Sequence, residues 1–493
     1  MARKKSEGTN RIATNELEDY CAVLRPDQAV EEEATITILT SGYGTINRPS
    51  DTRPNFCQSF LKSIWISFTI NVAVIPLSSL MIVLLYIDMN TSHVCFEQTK
   101  RNGKLPDGTM KWILIWHDVE SIALNFWFQL TLIFLFGWRK FISRHYSTLI
   151  LAFCLGCAVA IYKTILYLVK LDFTKLNYRY PGNFLFLVGV VYSSYLVAAK
   201  ISKIDRTVVL TKVQIVTIIS TQFYLGFFIG MLYRYVIVQW FNRTENELYK
   251  AVIAMITPMV VLIPVTLCEY LALKSSSIVK PGRSFVLVYF AQGVSIILYR
   301  IMQADVNDIW IFTGLSLSRG LFKVFQIATE RTTKKCFHRF WRYVGEVCPC
   351  GRRLGEATPD TDHQRRLAID KEIQVMLCES TASILSQAYL ALYLIINFDT
   401  DLWAVLKQPI LKIFIALGIN FFVNWLCILI HIHWHETQLQ KVWYKHWKRH
   451  VLVDVMLCTM TIWYFTVVLL SVFQAPSHDT EGFELKNCTL PLL

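Results

Sequence analysis

The sequence predicts an all-α fold: a polytopic bundle of about eleven membrane-spanning helices with its N-terminus in the cytosol. Three observations carry this. Of 493 residues, 54% are hydrophobic and 17% charged, and the apolar residues fall into long runs of about the 20 residues a helix needs to cross the hydrocarbon core. No run alternates with period 2, so a barrel is excluded, and a helix satisfies its own backbone where no water can. The loops between runs alternate in charge. Those placed inside (139–146, 200–212, 274–283, 329–373 and 434–450) carry 24 Lys/Arg against 9 Asp/Glu, whereas those placed outside carry more acid than base. That is the positive-inside bias, and with an odd number of spans it leaves the C-terminus outside.

Residues 1–58 hold 7 basic and 9 acidic side chains and no signal peptide; they read as a disordered cytosolic tail. Spans 1–8 fill 59–328, near 60–87, 112–137, 148–169, 184–200, 213–238, 250–273, 284–302 and 309–328. A basic cytosolic loop follows at 329–373. Spans 9–11 lie near 374–396, 409–431 and 451–473, and 474–493 is an extracellular tail. Pro76 is expected to kink span 1, and Pro258 and Pro264 span 6. The sequons at Asn90, Asn242 and Asn487 all fall in outer segments, which suggests a glycoprotein of the plasma membrane reached through the secretory pathway. Cys95 and Cys488, both outer, are a candidate disulfide pair. The net charge of +13 faces an anionic inner leaflet and calls for no nucleic-acid partner.

The chemistry lies in the polar residues of the spans, because a charge at mid-bilayer costs roughly 2.5–3.5 kcal/mol unless it turns inward. Arg234, Glu269, Arg300, Lys323, Lys412, His431 and Asp454 stand near span ends, where a long side chain can snorkel to the interface. Glu120, Lys163, Arg319, Glu379 and Gln387 stand deeper. In the stretch LCESTASILSQAYLALYLII (377–396), Glu379, Ser383, Ser386 and Gln387 are spaced i, i+4, i+7, i+8, with Tyr393 on the same face. The expectation is one polar, inward stripe, with Ile384, Leu385, Leu390 and Leu392 free to face lipid. A Glu379–Arg319 ion pair between spans 9 and 8 is one outcome, and it would be compatible with a purely structural role.

No G-x-S-x-G, Walker or H-E-x-x-H motif is present, and the reading is of a non-enzyme without a cofactor. His431 and His435 have metal-ligand spacing, but an interfacial Trp/His/Lys belt explains HIHWHE more simply, so no metal is assigned. Cys348 and Cys350 suit palmitoylation or unmodified thiols better than zinc.

The pattern Glu379-x7-Gln387-x5-Tyr393 resembles a helix of the XK-related membrane proteins, with Ser383 and Ser386 at positions where the family has an acid and a proline. Gly293-x16-Trp310-x15-Gln326 is similar to that family's first helical hairpin; the family's flanking Asp positions are Ala291 and Ser295 here. The similarity covers roughly 284–431. It implies phospholipid scrambling: ATP-independent movement of lipids such as phosphatidylserine along a buried polar track, here Glu379, Gln387, Ser383, Ser386, Tyr393, Arg319, Glu120 and Lys163. It also implies a single-span partner; a homo-oligomer is the other expected assembly. A secondary transporter or ion channel for a small solute, or a membrane receptor, remains open on the residues alone. A scramblase should show a polar groove open sideways to lipid, a transporter an enclosed cavity with broken helices, and a receptor a pocket near the outer face.

Overall fold

The structure, a computed structural model, describes residues 55–93, 107–171, 173, 176–204, 210–347, 362–474 and 484–485. Among them are eleven long helices: α1 (Phe56–Thr91), α2 (Asp107–Phe136), α3 (Trp138–Leu168), α4 (Leu176–Ile204), α5 (Lys212–Arg243), α6 (Glu247–Ser277), α7 (Val286–Ala304), α8 (Ile309–Val347), α9 (Asp362–Asn397), α10 (Leu402–Trp434) and α11 (Leu439–Phe473). Ten are long and apolar enough to cross a membrane. The exception is α8, whose apolar run is interrupted by Arg319, Lys323 and Gln326. A two-residue antiparallel pairing, β1 (Phe398–Asp399) with β2 (Glu484–Leu485), is the only strand structure among the described residues. This is a polytopic all-α membrane bundle, with one helix for each span expected.

The helices outrun the spans. α3 begins at Trp138, α8 runs to Val347, α9 starts at Asp362 and α11 at Leu439, so most of 139–146 and much of 329–373 and 434–450 are helix rather than loop. Hydropathy marks the hydrocarbon core only; a helix continues past it while its residues favour helix.

Small residues decide how closely the helices approach. On α1, Ser59, Ser63 and Ser67 are fully buried, while Leu61, Trp65, Phe68, Val72 and Ile75 on other faces are exposed. The seryl stripe lets α1 lie against its neighbours, and Ser67 Oγ donates to the Phe421 carbonyl of α10 at 3.2 Å. Gly226 of α5 leaves room for the Phe290 ring, which a Cβ there would meet at 1.9 Å. Phe290 in turn meets Trp127 edge-on at 4.4 Å and stacks on Phe223 at 5.5 Å.

The centre of the bundle is α7, with 94% of its spanning window buried, its polar residues Arg300 and Gln303 included. α9 is the second interior helix, at 78%. This corrects the expectation of one lipid-facing side on α9: Leu385 is fully buried, and Ile384, Leu390 and Leu392 are partly buried rather than exposed. α1 passes Pro76 as one helix, whereas α6 breaks. Pro258 and Pro264 flank Val261, which closes one helical segment (Glu247–Val260) and opens the next (Leu262–Lys274). Both segments pack on α7, but the first packs more closely on α8 than the second, so the second half of α6 leaves a gap.

Candidate functional site: a charged groove between α6 and α8

That gap is a groove of about 530 Å³ walled by α6, α7, α8 and α9, with His431 of α10 at its edge. Its rim is exposed: Met255 and Met259 on α6, Ser318 and Gln326 on α8. Its depth is charged. On α8, Arg319 and Lys323 are i, i+4; on α9, Glu372 and Glu379 are i, i+7, so each pair shares a helix face. The two faces meet. Lys323 Nζ lies 2.9 Å from Glu379 Oε2 and 3.2 Å from Glu372 Oε1, and it donates to Asn424 Oδ1 at 3.3 Å. Arg319 reaches Glu379 Oε1 at 3.6 Å. Nearer the basic end of the bundle, Lys371 of α9 bridges to Glu269 of α6 at 2.6 Å.

From Glu379 the polar chain continues into the interior. Asn420 of α10 donates to Ser383 Oγ at 3.1 Å and accepts from Arg300 at 2.9 Å. Arg300 also donates to Gln303 Oε1 at 2.9 Å, and Gln303 Nε2 donates to Ser316 Oγ at 2.6 Å. Lys412 caps the Val306 carbonyl at 2.7 Å, and Lys250 pairs with Asp305 at 3.2 Å just beyond the end of α7. A seam of ion pairs and amides thus runs between α7, α8, α9 and α10 from one end of the bundle to the other. Asp305 lies in the short α7–α8 connection; its burial, only partly offset by Lys250, holds its carboxyl at a pKa of about 6.

The residues expected to form one track are divided among three places. Glu379 and Arg319 line the groove. Ser383 belongs to the seam behind it, Ser386 donates to the Ser383 carbonyl at 3.1 Å, Gln387 is buried, and Tyr393 packs between Phe398 and Phe473. Glu120 and Lys163 line a separate cavity at the opposite end, among α2, α3, α4, α5 and α11. Of the hairpin residues, Gly293 is packed against Leu457, Gln326 stands at the groove rim and Trp310 is 81% exposed. Asn90 Nδ2 donates to the Tyr86 carbonyl, and Asn242 Nδ2 to the Ser471 carbonyl at 2.7 Å. Asn487, Cys95, Cys488, Cys348 and Cys350 lie outside the described residues.

The snorkelling expectation fails for five residues. Arg300, Lys323, Lys412, His431 and Asp454 are buried. Position along a span does not report which neighbours surround it, and here neighbouring helices cover the ends as well as the middle. Asp454 accepts from the Tyr289 hydroxyl and from Thr381 at 3.1 Å. Hydropathy assigns Glu372 and Lys371 to the cytosolic loop; the i, i+7 spacing of Glu372 and Glu379 is the sequence signal that places Glu372 on the same helix face. No known family model, curated protein or solved structure matches this chain.

Proposed function

We propose that the protein moves phospholipids between the two leaflets, with the groove between α6 and α8 as the entry for the headgroup. One observation carries the reading: a charged groove opens on the flank of the bundle, between helices whose other outward residues are apolar. Leu317, Leu321 and Phe325 of α8 and Ile256, Leu262 and Ile263 of α6 are exposed beside it. A headgroup needs polar partners, while its acyl chains need none but lipid. In the groove Arg319 and Lys323 suit a phosphate and Glu372 and Glu379 an amine, each offering charge-assisted hydrogen bonds in a water-poor setting. The seam beyond, through Asn420, Arg300 and Gln303, extends the same chemistry toward the far end. The similarity of 284–431 to XK-related proteins supports the same reading, and that stretch supplies three of the four helices around the groove. The plasma membrane as site of action belongs to the same proposal.

A second reading is a solute transporter. It is favoured by the break of α6 at Val261 beside the cavity, since broken helices line transporter sites. Purified protein in liposomes carrying a fluorescent lipid in both leaflets separates the two. Under external dithionite, bleaching well past half is expected, and Arg319→Ala should slow it. Bleaching that stops at half with inserted, monodisperse protein would sink the lipid reading, and dissipation of an ion gradient in the same vesicles would then favour the second.

A further inference from the structure

The cavity at the other end of the bundle has a different charge balance and goes beyond the lipid path. Its volume is about 140 Å³, and Lys163 of α3, Arg179 of α4 and Arg234 of α5 line it, against the single carboxylate of Glu120. That carboxylate is already engaged: one oxygen accepts from the Ser92 hydroxyl, and the other lies 2.9 Å from His117 Nδ1. Lys163 Nζ donates to two neutral oxygens, the His117 carbonyl at 3.0 Å and Ser121 Oγ at 2.5 Å. Among the described residues neither Lys163 nor Arg234 is in an ion pair. Nearby His93 adds no charge, because burial pushes its pKa down to about 3. Lys163 and Arg234 therefore bring positive charge to one partly buried concavity, only partly offset at Lys163 by Glu120 and Asp118, and an oxyanion between them would relieve that repulsion.

One of these cations also lies in an unusual stretch of backbone. Arg234 sits in a π-helical segment, Tyr233–Ile237, of α5, a widening of the helix that recurs at functional sites. The next residue, Tyr235, ties α5 to α4 at the rim through a 2.9 Å contact between its hydroxyl and that of Tyr180.

We propose that this pocket binds a small oxyanion group, a phosphate or sulfate, through charge-assisted hydrogen bonds from Lys163, Arg179 and Arg234. Its volume admits one tetrahedral oxyanion group. The oxyanion could be a free ion or the phosphate of a lipid headgroup; the recognition chemistry is the same.

The test uses full-length protein in an uncharged maltoside detergent, with the thermal midpoint followed against inorganic phosphate at ionic strength held constant with chloride. A saturable rise is expected for the wild type, by mass action on the folded state. In Arg234→Gln, a residue whose removal breaks no ion pair, the half-saturating phosphate should rise ~10–100-fold, the loss expected for one charged hydrogen-bond donor; Lys163→Gln should behave alike. The unliganded midpoint and monodispersity of each variant report whether it folds. A second series uses a soluble short-chain phosphatidic acid. A shift with that probe alone, lost in Arg234→Gln, assigns the oxyanion to a lipid. No saturable shift with either probe, or a shift undiminished in Arg234→Gln, overturns the proposal.

Discussion

Lys323 joins two carboxylates of the groove. It touches Glu372, Glu379 and Asn424 within 3.3 Å, with 7% of its side chain exposed. Replacing one partner of a buried pair strands the other, at a cost of about 3–5 kcal/mol. Lys323→Met strands Glu372 and leaves Glu379 only the longer Arg319 contact, so it should be the most destabilising single change here. Glu379→Gln leaves the Lys323–Glu372 pair intact and should cost less. Thermal midpoints in detergent rank the two; a Lys323→Met protein as stable as Glu379→Gln would show that these pairs do not hold the helices. Part of this was legible in advance. The depth of Glu379 and Arg319 in their spans points to a pair, whereas the position of Lys323 and Arg300 near span ends points to snorkelling. Their distance from a span end was visible in the chain, but the helices packed over them were not.

At the scale of the element, α2 and α3 meet at Gly156, where an added Cβ would stand 2.8 Å from the Ile122 Cα. Backbone cannot step aside as a side chain can. Gly156→Val should therefore force the two helices apart and lower stability by about 1–3 kcal/mol, read as a fall in the thermal midpoint. The α7–α8 connection carries a pH dependence. Asp305 has a folded pKa of about 6 against an ordinary value of 3.8. Below pH ~4 it is protonated in both states and its contribution is whole. Between pH ~4 and ~6 the unfolded chain ionises while the folded one keeps its proton, so stability falls as pH rises, and above pH ~6 the slope ends. The midpoint of Asp305→Asn should lack this part of the slope; identical profiles for the two proteins over that window would contradict the assignment. The break of α6 follows from Pro258 and Pro264, whereas α1 runs through Pro76 as one helix. A proline removes one hydrogen bond, and whether the helix parts there depends on what its two halves pack against.

For the whole molecule, the arrangement that matters is a central α7, with a groove on one flank and a seam of polar side chains behind it. If lipid enters sideways, a bulky residue at the rim should stop it without disturbing the core. Ser318 is exposed at that rim, so Ser318→Trp should lower dithionite-accessible lipid toward the protein-free level while leaving the thermal midpoint unchanged. Full activity in a correctly inserted Ser318→Trp protein would place the path elsewhere.

The sequence by itself determined that the chain is a helical membrane bundle, the number and order of the long helices among the described residues, and which of their residues are too polar to face lipid. These follow from local properties, since apolar run length and loop charge are summed along the chain. Only the tertiary structure decided which polar residues meet. Glu120 and Lys163 share nothing with Glu379 and Arg319 except polarity, and they lie at opposite ends. Glu372 and Lys371, taken for loop, complete the groove, while Gln387 and Tyr393, on the right face of the right helix, are covered by packing. A helical wheel shows one helix at a time; which stripe becomes a groove, a seam or a sealed contact depends on the break in α6 and on the burial of α7 and α9 from all sides.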